Sequence, residues 1–364
     1  MTAVDAAVAR PPETRLSPWE RLRRSPGASL LSAASIALLA WIGWVVADWL
    51  LLSAAAPWEP AARCAEATGA CWPFWVEKTR FMLFGTYPFD QQWRPAVVSA
   101  MLIALSVATG QMAVSGRWID PRLFAGAWAL ASVASFALMG GGIAGLPEVV
   151  TTRWNGLPIL LMLSTIALAL ALPLGVLLAL GRYQTRYRLI GRFSAVYIEA
   201  MRGVPMVTLL FVGVFVLPLM MPKGTSIDPI TAVLIALIFF HASYFAEDVR
   251  SGLLSLPRGQ HEAASALGLG FWQTARLVLL PQAIDRAMPA LVNSIIGAYK
   301  DTSLVVVLGL FDLNATARMA FSEVQWGNQA LEAYVFVGAW FLVSCSYLSW
   351  VGRRLAAKAP GRAR

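Results

Sequence analysis

The hydrophobic positions of this chain fall in long runs, not in short alternations. About 20 predominantly apolar residues are needed for a helix to cross a bilayer, and eight runs approach or exceed that length: residues 28–52, 95–115, 124–146, 157–180, 204–221, 230–245, 288–311 and 332–350. The fifth and sixth are short as drawn, so their helices are expected to continue into the flanking segments YIEAMRG (197–203) and AEDVRSG (246–252). Such a pattern predicts an all-α polytopic membrane protein with about eight transmembrane helices. Pro173, Pro205 and Pro218 lie in these runs and are expected to bend their helices. Gly141 and Gly145 in the third run make a GxxxG pair, which predicts close helix approach.

The spacing of the runs divides the chain. Residues 1–27 read as a polar, basic tail, and residues 28–146 as an N-terminal extension of three spans with a Trp- and Pro-rich loop at 53–94. Five closely spaced spans follow over residues 157–350, and a basic tail over 351–364. No internal repeat is evident.

Composition agrees: 58% of residues are hydrophobic and 13% charged, where soluble domains carry about 25%. The net charge of +9 is explained by topology, so no nucleic acid partner is implied. With both termini in the cytoplasm, 20 of the 29 Lys and Arg residues fall in cytoplasmic segments and 7 in the opposite loops. The other two, Arg202 and Lys300, lie at or within spans. Cys64 and Cys71 share one loop and can pair if that loop is periplasmic, whereas Cys345 lies in an apolar run. No metal-site spacing occurs.

One stretch breaks the apolar pattern. Residues 257–283, PRGQHEAASALGLGFWQTARLVLLPQA, carry charge, glycine and two prolines between hydrophobic segments. Glu262-Ala263-Ala264 is expected to begin a short helix that Gly268 and Gly270 interrupt; a second helix starts at Phe271 and is expected to end at Pro281. This predicts a helix-turn-helix knuckle on the cytoplasmic side. Small residues at 263, 264, 266 and 268 permit close approach of a partner, with Leu267 and Phe271 to fill pockets.

Enzymatic chemistry is not indicated. None of the four lysines follows a glycine, so there is no phosphate-binding loop of the G-x-x-x-x-G-K-[ST] type. His241 and His261 lie far apart in the pattern and suggest no nucleophile-base pair. No cofactor or metal is expected.

The 257–283 stretch closely resembles the EAA loop of ATP-binding-cassette importer permeases, in which this element is the coupling helix. YIEAMRGVPMVTLLF (197–211), AEDVRSGLLSLPRGQHEAASALG (246–268) and KDTSLVVVLGLFDL (300–313) look like the polar amino acid permease family. GACWPFWVEKTRFMLFGTYPFDQQWRP (69–95) is similar to the AapM-type permeases of general L-amino acid importers. Asp248 and Ser251 depart from the pattern AEVVRGG, where an apolar residue and a glycine are expected. The resemblance implies a permease subunit in a bacterial inner membrane with several partners. These are ABC ATPase subunits, a second homologous permease subunit, a periplasmic solute-binding protein, an amino acid substrate and membrane lipid. It implies ATPase coupling through Glu262, Ala263, Ala264, Leu267, Gly268, Phe271 and Pro281.

Ionisable residues in spans usually face a cavity or one another. Lys300 and Asp301, with Thr302 and Ser303, are candidates for a polar substrate pathway; the alternative is a self-satisfied pair near a helix bend. Glu199 and Arg202 are three apart on one helix, as are Glu247 and Arg250, and either line the pathway or steady helix ends. Two other readings remain at this point: an ion-coupled secondary transporter working without an ATPase, and a membrane scaffold subunit.

Overall fold

The computed structural model describes residues 26–117, 119–143, 145–184, 187–222 and 227–358. Most of the expected tail at 1–27, and residues 359–364 of the other, lie outside the described residues. Among the described residues the chain is helical, with two isolated β-bridges and no strand. Seven helices among the described residues are long and apolar enough to cross a membrane, and a bent pair makes an eighth candidate.

Two compact units divide at Pro73. In the first, α1 (Pro26–Ala47) ends in a π turn, Asp48–Leu52. The Ser53 hydroxyl donates to both Asp48 carboxylate oxygens, at 3.1 and 3.2 Å. Backbone bonds then fold the following loop onto this helix end. Ala70 N–H donates to Trp49 O (2.7 Å), Gly69 N–H to Ser53 O (3.0 Å) and Ala55 N–H to Ala70 O (2.9 Å). The Trp72 indole donates to Leu50 O at 2.9 Å. Cys64 and Cys71 form a disulfide with their Cα atoms 5.3 Å apart, which answers the question the sequence leaves open.

Helix α2 (Trp72–Phe84) leads into the second unit, Phe74–Arg364, which contains α3 (Trp93–Ser115) and α4 (Pro121–Gly140) together with the later spans. The expected three-span extension is therefore divided, its second and third spans belonging with the core. Helices α5 (Leu157–Tyr183) and α8 (Pro229–Leu254) form the centre. A Cβ on Gly175 of α5 would stand 2.7 Å from Phe245 Cβ and 2.9 Å from Ala242 O, so glycine there sets how closely the two helices pack. Around them lie α6 (Arg188–Gly203), α7 (Met206–Met220), α10 (Phe271–Leu308) and α12 (Ala330–Lys358). Residues 351–358, expected as a solvated tail, continue α12 as helix.

Helix starts follow local chemistry. Asp120-Pro121 and Asp228-Pro229 each place a capping carboxylate before a proline at the first helical position. Asp120 Oδ1 accepts from Arg122 N–H (2.7 Å) and Asp228 Oδ1 from Ile230 N–H (2.9 Å).

Three expectations about helices are corrected. First, α4 ends at Gly140, because Gly141, Gly142 and Gly145 adopt φ of +68°, +72° and +75°. The GxxxG pair therefore belongs to a turn and not to a helix face. Arg94, fully buried, donates there to Leu138 O (3.2 Å) and Pro147 O (2.5 Å). Second, YIEAMRG does not extend the fifth span. Val204 and Pro205 are extended, as expected of a residue before proline and of proline itself, and α6 meets α7 at 103°. Third, Pro281 does not end a helix. It follows a π turn, Ala275–Leu279, as Pro218 follows Val212–Val216. The widened turn shifts the carbonyl that a proline ring would strike and needs no N–H from it, so both helices continue. The sixth span does extend as expected, to Leu254.

Candidate functional site

The knuckle is helix α9 (Arg258–Ala266) between α8 and α10. Its end is a glycine-terminated Schellman turn: Leu269 N–H donates to Ala264 O (3.1 Å), Gly268 N–H to Ser265 O (3.0 Å), and Gly268 has φ +74°. Gly270 precedes the next helix, and its N–H donates to Gln273 Oε1 at 3.0 Å. The turn is thus satisfied by its own backbone and one side chain.

One long-range contact holds α9 against α10, and another joins α10 to the end of α8. Gln282 Nε2 donates to Gln260 Oε1 at 3.1 Å, and the Arg286 guanidinium donates to Ser255 O. A Cβ on Gly252 would lie 2.2 Å from Ala283 O, so α8 and α10 touch backbone to backbone beside the knuckle. Ala275, Leu279 and Ala283 join the core cluster that contains Phe245, Val249 and Leu253.

Of the residues expected to meet a partner, Glu262, Ala263, Leu267 and Gly268 are exposed and Phe271 is 39% exposed. Ala264 is not: it is 3% exposed and packs inward, because one face of a nine-residue helix against a bundle must be covered. Pro281 lies inside α10, beyond the turn. Sequence reading missed Trp272, which is 65% exposed with its ring edge-on to Phe271 at 5.4 Å. Its signal was present, since an aromatic pair following a glycine turn in a polar loop has no core to enter.

The six pathway candidates separate into two places. Helix α5 has 27 residues and is therefore about 40 Å long. At its beginning, Gly156 N–H donates to Phe311 O at 2.7 Å. Nearby, the Ser303 hydroxyl donates to Asp312 Oδ2 (2.5 Å) and Asp312 Oδ1 caps α11 (Leu313–Ala320) through Ala315 N–H (3.0 Å). Burial pushes the Asp312 carboxyl up, opposed by those hydrogen bonds. Thr302 is buried and its hydroxyl donates to Ala298 O of its own helix (3.1 Å). Lys300 is exposed and Asp301 partly so, and among the described residues they form no ion pair with each other.

At the other end of α5, by the knuckle, Glu247 lies among three arginines: Arg250 (2.5 Å), Arg182 (3.6 Å) and Arg202 (3.9 Å). Glu199 pairs with Arg182 at 2.7 Å, not with Arg202. Arg202 also lies over the Tyr244 ring, 5.4 Å from its centroid. Glu199 and Arg202 thus help tie α5, α6 and α8 together, and the structure does not bring them near Lys300. The departure at Asp248 has its own partner, the Ser294 hydroxyl on α10 at 2.6 Å.

A family model described as "binding-protein-dependent transport system inner membrane component" matches residues 171–359, a span that includes the knuckle. The chain belongs to this family. It is 40% identical over 347 residues to the inner membrane amino-acid ABC transporter permease protein YhdY of Escherichia coli, covering 92% of this chain and 91% of that protein. To the glutamate/glutamine/aspartate/asparagine transport system permease protein BztC of Rhodobacter capsulatus it is 34% identical over 390 residues, 89% of this chain and 88% of the other. The glutamine transport system permease protein GlnP of Escherichia coli is 34% identical over 210 residues, which is 93% of GlnP but 56% of this chain. As a family member this is a multi-pass inner membrane protein, and the sequence similarity to ABC transporter permeases disfavours the secondary-transporter reading.

Proposed function

We propose that this chain is the permease subunit of an ATP-driven amino acid importer, coupled through α9 to ATPase subunits that carry the nucleotide chemistry. Similarity to named amino acid permeases across nine-tenths of the chain supports the substrate class. The observation that carries the coupling reading is the exposed knuckle, with Leu267, Phe271 and Trp272 presented beside a self-satisfied glycine turn. Such a surface suits insertion into a partner's groove.

In this reading a movement of α9 is delivered to α10 through Gln260–Gln282 and shared with α8, because Arg286–Ser255 ties α10 to the end of α8 where the knuckle begins. Because α8 packs along α5, the displacement tilts the core and alternates access to the solute path. Lys300 and Asp301, with no ion pair between them, are the candidates to meet a zwitterion's carboxylate and ammonium. A second homologous permease subunit and a periplasmic solute-binding protein complete the assembly. Both termini and the knuckle are cytoplasmic, as the distribution of basic residues supports.

Gly268→Val tests the coupling role. Open space surrounds the position, so the added side chain strains only the left-handed backbone. The variant should reach the membrane in normal amount but lose most ATPase co-purification and ATP-dependent uptake. Full uptake by this variant would remove the docking role from α9, and uptake by the purified chain without ATPase would restore the secondary-transporter reading.

A further inference from the structure

Helix α6 has no part in the coupling described above, and its surface is unusual. It meets α7 at 103°. Helix α7 packs beside the spanning helix α8, since a Cβ on Gly213 would lie 3.6 Å from Ala236 Cβ and 3.7 Å from Ala232 O. A helix nearly perpendicular to such a neighbour runs along the membrane plane.

At about 100° per residue, α6 carries three stripes. Ser194 and Ile198 are buried, and Ser194 faces Gly181 of α5 so closely that a Cβ there would lie 2.5 Å from its Oγ. Arg188, Arg192, Glu199 and Arg202 form a second stripe. Leu189, Phe193 and Val196 form the third and are 80%, 69% and 67% exposed. Within the charged stripe, Glu199 and Arg202 are engaged by Arg182 and Glu247. Arg188 and Arg192 are exposed, one turn apart, and form no ion pair among the described residues.

We propose that this outer surface of α6 binds anionic phospholipid. The two arginines hold headgroup phosphate while Leu189, Phe193 and Val196 enter the acyl boundary. Lipid is the occupant that supplies both halves at one place: a negative head about one helical turn across and a hydrocarbon tail beside it. A protein partner would have to match an acidic group to the arginines and an apolar pocket to a ridge lying in the membrane plane. The site lies at the knuckle end of the bundle, where Glu247 gathers its arginines, so bound lipid would also steady the crosswise helix through which α5 connects to α7.

The test uses the complete transporter, purified with its partner subunits into nanodiscs of phosphatidylcholine with or without phosphatidylglycerol. Native mass spectrometry should find phosphatidylglycerol retained in preference to phosphatidylcholine. Arg188→Gln with Arg192→Gln should lower that preference by about 5-fold for each arginine, and raised salt should lower it in the wild type. A benzophenone side chain at position 193, in an otherwise unchanged chain, should crosslink to lipid. Equal retention of the two lipids by the wild type, undiminished preference in the double variant, or crosslinking to a protein subunit would each overturn the proposal. The readout is lipid binding alone and does not depend on whether amino acids are carried.

Discussion

Arg94 shows how a single residue can hold a turn together. Its guanidinium is fully buried, donates to Gln91 Oε1 (3.0 Å) and to the carbonyls of Leu138 and Pro147, and has the Tyr87 ring 6.0 Å away. The Tyr87 hydroxyl adds a bond to Met139 O at 2.9 Å. Carbonyls freed by a glycine turn are costly to bury unpaired, and one planar cation answers several of them. Arg94→Met should therefore lower stability by about 3 kcal/mol, read as a lower melting temperature in detergent with the fold otherwise retained; an unchanged melting temperature would mean that water satisfies the turn equally well. None of this was legible beforehand. A basic residue at the edge of an apolar run looks like an interfacial anchor, and its two carbonyl acceptors come from residues more than 40 positions later. Lys300 and Asp301 are candidates from polarity alone, whereas the roles of Thr302 and Ser303 as backbone and cap contacts depended on Ala298 and Asp312.

At the scale of elements, proline and glycine behave according to context. Pro205 separates two helices, whereas Pro218 and Pro281 sit in helices that continue past them after π turns. Local sequence does not distinguish these outcomes, because each helix's continuation depends on what its far side packs against. The Asp-Pro starts at 120–121 and 228–229 were fully local and readable as caps. Helix α6 was partly readable: RLIGRFSAVYIEAMRG has helical amphipathicity, but proximity to an apolar run drew its last residues into the fifth span. Gly252 provides an element-scale prediction. Replacing it with Ala would force α8 from the Ala283 carbonyl and should destabilise by about 1–3 kcal/mol. Thermal melts should fall accordingly, and a melt as high as wild type would show that the helices can separate there without loss.

Across the whole molecule, the disulfide and the charge distribution bear on the same question. Disulfides persist in oxidising compartments, so a Cys64–Cys71 bond agrees with the proposal that the loop after the first span is periplasmic. Counting crossings from a periplasmic loop, with α6 in the plane as proposed above, agrees with the cytoplasmic α9 proposed from the Lys and Arg counts. In membranes from intact cells, denatured without reductant, one thiol of the three cysteines should react with maleimide, and all three after reduction. Three reactive thiols before reduction would set aside both the bond and its topological consequence. The sequence by itself determined the all-helical class, the spans, their basic asymmetry and the knuckle, because these depend on run length, charge placement and turn residues a few positions apart. Tertiary structure alone decided that Ala264 faces inward, that Glu199 answers Arg182, that Gly141 opens a turn around Arg94, and that the candidate pathway residues stand at opposite ends of α5. Each of those depends on atoms brought together from distant parts of the chain, and their separation along the sequence carries no record of that distance in space.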